Sequence, residues 1–143
     1  MSYKFLEDVA IADVAFEATG KTLKQLLESS ALAVTNTMVK DLDSIEHKVE
    51  KKFTVEGDNA EKLLFNFLQE LIFYKDAELL LFNKFELDIT PKKNQFQLSV
   101  KAYGEKLDMK KHELIVDVKA VTYHGFEIKE TKEGWKAKII IDI

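Results

Sequence analysis

Residues 44–76, SIEHKVEKKFTVEGDNAEKLLFNFLQELIFYKD, contain a strand pattern followed by a helix pattern. Up to Glu56, apolar residues fall mostly on one parity and the other parity is wholly polar, which predicts a strand with one buried and one wet face. After Gly57 the apolar residues recur at three- and four-residue steps, which predicts a helix to about Asp76 with Asp58 as its N-cap. A half-buried strand followed by an amphipathic helix favours an antiparallel α+β fold.

The same two patterns continue in both directions from this stretch. Upstream, they predict strands at 3–8 and 13–19 and a helix from the N-cap Thr22 to about Lys40. Downstream, they predict four further strands, at 79–90, 94–103, 114–131 and 135–143. The predicted class is α+β in a single domain over residues 1–143. It is a two-layer sandwich in which two helices cover one face of a mostly antiparallel sheet of about six to seven strands.

The composition excludes several kinds of site. The 143 residues include 25 acids and 21 bases, giving a net charge of −4, and every base is a lysine. Without arginine the chain lacks the planar fork that grips phosphates and guanine edges, so sequence-specific nucleic-acid binding is disfavoured. Without cysteine it has no disulfides, thiolate ligands or thiol nucleophiles. The lack of an apolar signal core or an apolar run of ~20 residues predicts a cytoplasmic protein without membrane contact.

The histidines and the common enzyme motifs give no catalytic signal. The sequence has no Gly-x-Ser-x-Gly, Gly-x-Gly-x-x-Gly or P-loop pattern and no histidine pair at i,i+4 spacing. His47 lies on the apolar parity of its strand and is expected to be partly buried, whereas His112 lies in a polar turn and is expected to be exposed. His124 precedes Gly125 within a strand, which predicts a bulge there. For each histidine a structural role is favoured over catalysis.

Two aspartates near opposite ends of the chain form a candidate metal site. Asp142 lies on the outer parity of the last strand beside Ile143, whose carboxylate ends the sequence, and Asp13 lies on the outer parity at the beginning of its strand. If these strands pair antiparallel, the three carboxylates converge and repel one another unless a hard cation such as Ca²⁺ or Mg²⁺ lies between them. The alternative is that both aspartates are simply exposed at strand ends. A hydrolase using them is disfavoured because no general base lies nearby in sequence.

Lys119 is the second candidate functional residue. Strand parity places it outward beside Asp117, on the same face as Val121 and Tyr123. A solvated lysine is the ordinary interpretation for such a position. The two less polar neighbours, however, indicate that this face is a contact surface.

Several segments resemble one protein family. The string KAVTYH, from Lys119 to His124, resembles the signature strand of the archease family. Three further segments fit the same family in order and spacing over the whole chain: Ala12-Asp13 before a strand, Gly104-Glu105 followed by Asp108 and His112, and the ending Ile141-Asp142-Ile143.

The resemblance implies a function and a site. Archeases are small non-enzymatic activators of the GTP-dependent RtcB-type RNA ligase of tRNA splicing, and they promote guanylylation and multiple turnover of the ligase. The resemblance implies a divalent metal, Ca²⁺, held by residues matching Asp13, Asp142 and the terminal Ile143. It also implies an activating role for Lys119. Members often carry a histidine three residues before the first aspartate, where this chain has Ala10.

Other functions stay open at this point. A chaperone-like modulator of another tRNA-processing or tRNA-modifying enzyme, such as a tRNA methyltransferase, is the main alternative to the ligase activator. Direct RNA binding is disfavoured because the lysines are spread among more numerous acids. The expected partners are therefore proteins, without sequence-specific nucleic-acid binding.

Overall fold

A computed structural model describes residues 1–6 and 13–143 of the chain. The described residues form two α-helices, α1 (Leu23–Met38) and α2 (Ala60–Glu78). They also form seven strands, in the predicted order: β1 (Ser2–Leu6), β2 (Asp13–Gly20), β3 (Val49–Gly57), β4 (Leu80–Lys92), β5 (Gln95–Lys106), β6 (Ala120–Thr131) and β7 (Gly134–Asp142). None of the described helices is long and apolar enough to cross a membrane.

The seven strands divide between two antiparallel sheets, with strand orders β1-β2-β7-β6 and β3-β5-β4. The predicted α+β class, with two helices and antiparallel strands, is confirmed. The strands form two sheets, however, where the sequence suggested one. α1 packs against β2 and β4, and α2 packs against β3 and β6, so each helix contacts both sheets. The two helices therefore connect the sheets through one shared core.

Side-chain caps fix where the helices begin. The predicted N-cap Thr22 accepts a hydrogen bond from the Gln25 N–H at 3.1 Å. At α2 the cap is Asn59, whose Oδ1 accepts the Lys62 N–H at 2.8 Å, so the prediction of Asp58 was wrong by one residue. The apolar stripe of α2 is buried as the spacing predicts, at Leu63, Leu64, Phe67, Leu68, Leu71 and Ile72.

β3 begins five residues later than the alternation predicts. A side chain from β4 holds the preceding segment: the Asn83 Nδ2 donates to the carbonyls of Leu42 and Ile45, at 2.8 and 2.9 Å. His47 is consequently outside the strand and exposed, so the prediction that it is partly buried was wrong. Its Nε2 lies 2.6 Å from the Asn83 Oδ1.

A glycine brings β5 close to β4. A Cβ on Gly104 would lie 1.7 Å from the Leu81 carbonyl oxygen, which no side chain could tolerate without backbone movement. This close approach adjoins the register shift between Phe82 and Lys84 in the β4–β5 pairing. Glycine is therefore required there by space.

β6 is shorter than predicted and irregular. It begins at Ala120 instead of at residue 114, and its pairing with β7 shifts register between Thr122 and Glu127. Gly125 lies in this irregular part with a φ of 70°, so the bulge predicted beside His124 is present. The residues before β6 form a connection whose anchors are described below.

Candidate functional site

The pairing of β2 with β7 places Asp13 directly opposite Asp142. Residues opposite each other in an antiparallel pair point to the same face, so the two carboxylates are neighbours at one end of the four-stranded sheet. The flanking Ile141 is fully buried, so Asp142 lies on the opposite, outer face. The pairing expected from strand parity is therefore present.

The donor set around this pair is oxygen only. Within residues 1–6 and 13–143, neither aspartate carboxylate has a hydrogen bond or ion pair, and no group of three or more histidine, aspartate or glutamate side chains could hold a metal. Ile143, which the resemblance implies as a third ligand, follows Asp142 directly. Two neighbouring carboxylates are oxygen donors of the kind that a hard cation such as Ca²⁺ prefers.

Lys119 lies beside the aspartate pair. Its backbone N–H donates to the Asp142 carbonyl oxygen at 2.9 Å, and the next residue, Ala120, pairs with Asp142 in the β6–β7 ladder. Lys119 itself is exposed. The structure thus brings together three of the residues that the sequence singled out.

The prediction that Val121 faces outward was wrong. Val121 lies opposite Ile141 in the ladder, shares its face and is buried, and its N–H donates to the Gln69 side chain at 3.1 Å. Val118 is buried as well, although it is three residues away. Two residues three positions apart point to opposite faces of a regular strand, so alternation cannot bury both. The pattern of inward and outward side chains therefore shifts at Lys119, where the irregular connection ends and β6 begins.

Helix α2 contributes an aromatic side chain to the surface around Tyr123 in β6. The ring of Tyr123 stacks on Phe65 with centroids 3.8 Å apart and planes 7° from parallel. Phe126 contacts both rings edge-on, and the Lys62 ammonium lies 5.6 Å from the Tyr123 ring centre. Tyr123 remains about half exposed, so this face presents an aromatic surface with one lysine.

The second group of motif residues forms a buried network. The Glu105 Oε2 accepts the Glu46 N–H at 2.7 Å and lies 2.8 Å from the Lys111 Nζ. The His112 Nδ1 accepts the Asp108 N–H at 2.9 Å, so the proton is on Nε2, which donates to the Glu105 Oε2 at 3.0 Å. His112 is only 2% exposed, so the prediction that it is exposed was wrong.

These contacts determine the charge of Glu105. Burial by itself would raise the pKa of this carboxyl. The hydrogen bonds from Lys111, the Glu46 backbone and His112 outweigh burial and lower the pKa from its ordinary 4.5 to about 2. Glu105 is therefore a permanently ionised anchor of the loop between β5 and β6 at neutral pH.

Sequence comparison assigns the family. The family model described as the Archease protein family (MTH1598/TM1083) matches residues 3–143. The chain belongs to the archease family. Among similar proteins, the protein archease of Pyrococcus furiosus is 41% identical over 133 residues, with 92% of this chain and 93% of that protein covered. The protein archease of Methanosarcina barkeri is 32% identical over 142 residues, with 99% and 95% covered.

Solved structures share the archease fold. The solution structure of Methanobacterium thermoautotrophicum protein 1598 matches with a TM-score of 0.85 and 35% identity, covering 99% of this chain and 98% of that one. The crystal structure of a Thermotoga maritima archease, described as a possible chaperone, matches with a TM-score of 0.61 over 96% and 97% of the two chains. At 19% identity the latter supports the fold alone.

The archease motifs have different structural roles in this chain. Asp13, Asp142 and the start of the KAVTYH string meet at one end of the four-stranded sheet, whereas Glu105 and His112 form the buried network. Ala10, which stands where many archeases have a histidine, lies outside the described residues.

Sequence reasoning missed one buried lysine. Lys75, in the last turn of α2, is 4% exposed and contacts Asp76, Asp117 and the Val118 carbonyl. The signal was available, because Lys75 follows Leu71 and Ile72 by four and three residues and so continues the apolar stripe of the helix. A lysine on such a stripe must be paired when the helix packs.

Proposed function

We propose that this archease-family chain is a non-enzymatic activator of a GTP-dependent RtcB-type RNA ligase in tRNA splicing. It would promote guanylylation of the ligase and multiple turnover. Family membership supports the proposal, and the observation that carries it is the convergence of Asp13, Asp142 and Lys119 at one end of the sheet. These are the residues expected to activate the partner.

The same site is proposed to hold a divalent cation, Ca²⁺. Asp13, Asp142 and the carboxylate of Ile143 would be its ligands, and the oxygen-only donor set supports this assignment. When bound, the cation supplies positive charge that offsets the repulsion among the carboxylates. The chain's own contribution is the β2–β7 pairing, which holds the two aspartates side by side.

Activation is proposed to work by a shift of conformational populations in the ligase. A helper protein can move such an equilibrium only if it binds one state better than the other. Asp13, Asp142 and the exposed Lys119 would contact the ligase near its active site and favour the state competent for guanylylation. The phosphate and RNA contacts would belong to the ligase, since this chain has no arginine.

The test is a ligation time course with limiting ligase, GTP and tRNA halves, with and without this chain. Without it, we expect product to stop near one equivalent of ligase. With it, we expect product to exceed that amount severalfold. Equal multiple turnover in both reactions would contradict the proposal.

A chaperone-like role toward a tRNA methyltransferase is the second candidate. Exposed apolar side chains at Phe73, Met109 and Ile115 favour it, because such groups can contact apolar surfaces of other proteins. The Thermotoga maritima archease is also described as a possible chaperone. Light scattering of a heated methyltransferase would test this role, with suppression of aggregation as the expected result.

A further inference from the structure

The connection before Lys119 has little regular structure of its own. Residues 115–119 belong to no strand, and the Lys119 N–H reaches the Asp142 carbonyl at their end. At the other end, the Ile115 N–H donates to the Met38 carbonyl at 2.8 Å. The placement of Lys119 next to Asp142 therefore depends on what holds the residues in between.

Lys75 reaches this connection from α2. Its Nζ donates to the Asp117 Oδ1 at 2.7 Å, to the Val118 carbonyl at 2.7 Å and to the Asp76 carboxylate. An ammonium group has three donors, and these three acceptors use all of them. Two of the acceptors belong to the residues immediately before Lys119.

This contact is the principal side-chain anchor of the connection. Among the hydrogen bonds of the described residues, no side chain from another element except Lys75 bonds to residues 115–119. Asp117 is exposed and Lys75 is buried, so the helix fixes the lysine and the lysine in turn fixes the connection. A planar guanidinium could not reproduce three divergent bonds from one nitrogen.

The ammonium stays charged at neutral pH. Burial lowers the pKa of Lys75, but the hydrogen bonds and charges of Asp117 and Asp76 outweigh burial and hold the pKa above its ordinary value. The Lys75 ammonium can therefore donate all three hydrogen bonds at neutral pH.

We propose that Lys75 is a positioning residue: it fixes the connection so that Lys119 stands beside the Asp13–Asp142 pair. The effect on ligase activation rests on the proposed function. The effect of Lys75 on the connection is independent of the proposed function and can be measured in this protein without the ligase.

Two exposed acids provide a matched experiment. Asp117→Ala and Asp76→Ala each remove one carboxylate acceptor from the same ammonium, but only Asp117 belongs to the connection. We expect Asp117→Ala to speed amide hydrogen exchange of Lys119 about tenfold, because a charge-assisted bond that closes the connection is lost. We expect Asp76→Ala to leave that exchange rate near the wild-type value. Lys75→Met should have the largest effect.

The same variants are then titrated into the ligation assay. At saturating concentrations of the variant, we expect Asp117→Ala to stimulate the ligase less than wild type does. The concentration of Asp117→Ala that gives half of its own maximal stimulation should change less. Asp76→Ala should behave as wild type in both measurements. Unchanged Lys119 exchange in folded Asp117→Ala would overturn the positioning role, as would equal effects of the two aspartate variants. If the wild-type chain itself fails to stimulate the ligase, the proposed function fails and the exchange result still decides the role of Lys75.

Discussion

Individual carboxylates have two distinct roles in this molecule. Asp13 and Asp142 face each other on the outer side of a sheet and lack ion pairs within the described residues. Glu105 is buried and receives hydrogen bonds from a lysine, a histidine and a backbone N–H. The first pair would supply oxygen ligands to the proposed cation, whereas Glu105 holds a loop.

Removal of either outer carboxylate should abolish activation without affecting the fold. We expect Asp13→Ala and Asp142→Ala to lose Ca²⁺ binding in calorimetry and to lose stimulation of the ligase. Because both residues are only partly buried and their carboxylates have no hydrogen bond or ion pair within the described residues, unfolding free energies should stay within about 0.5 kcal/mol of wild type. Asp88→Ala, an exposed aspartate on the other sheet, is the matched control and should behave as wild type. Full activation by the folded double variant would refute the assignment.

Acid stability should depend on Glu105. Its folded pKa of about 2 lies below the ordinary 4.5, so its ionised form stabilises the fold above pH 4.5. That contribution is lost as pH falls from 4.5 to about 2, where the folded form becomes protonated. Urea unfolding midpoints of wild type should fall through this window, and those of Glu105→Gln should change less across it. The exposed Glu56→Gln should follow wild type; a parallel pH profile for Glu105→Gln would contradict this prediction.

Residue-level prediction from sequence succeeded where a residue lies within a regular strand. Parity placed Asp13 and Asp142 on one face, and the unbroken β2–β7 register puts them opposite each other. It failed for His47 and His112, which lie outside strands and whose exposure depends on side chains from distant parts of the chain. No local pattern carries that information.

At the scale of elements, the helices were the most predictable parts and the strand ends the least. The stripe of α2 determines its buried face directly. The start of β3 is determined by Asn83, a residue of β4 whose side chain donates hydrogen bonds to two carbonyls before β3. The alternation of apolar and polar residues carries no information about such a contact. β6 likewise begins where Lys75 and Asp142 fix the preceding connection.

Two glycines allow the strand geometry to be tested. Gly104→Ala should cost about 3 kcal/mol or more in unfolding free energy, because the new Cβ meets the Leu81 backbone oxygen. Gly125→Ala should cost about 1 to 2 kcal/mol, since its φ of 70° is strained for alanine but its Cβ meets only the flexible end of Ile140. Urea unfolding measures both. Equal costs would show that the β4–β5 approach is looser than described.

For the whole molecule, the two helices connect the two sheets through one shared core. The fold class could be predicted from the sequence because strands and helices that each have one apolar face can pack together in only a few ways. The division into two sheets did not, since parity tells which face of a strand is buried and not which strands are neighbours. Neighbours are set by long-range packing against α1 and α2.

Unfolding should therefore be a single transition. The only tryptophan, Trp135, lies in β7 of the four-stranded sheet, whereas far-ultraviolet circular dichroism reports both sheets and helices. We expect the two signals to give the same urea midpoint. Leu27→Ala, in the buried face of α1, should lower both midpoints together by an amount equivalent to about 2 to 5 kcal/mol. Separate midpoints would mean that the sheets unfold independently.

The neighbouring positions of β2 and β7 have a consequence for synthesis. The ribosome releases β2 long before β7, so a nascent chain has the first aspartate but not its partner, and β2 lacks one neighbour until translation reaches the last strand. The Asp13–Asp142 pair can form only when β7 pairs with β2. If the proposed site is correct, an unfinished chain should not stimulate the ligase, because the two aspartates come together only when β7 pairs with β2.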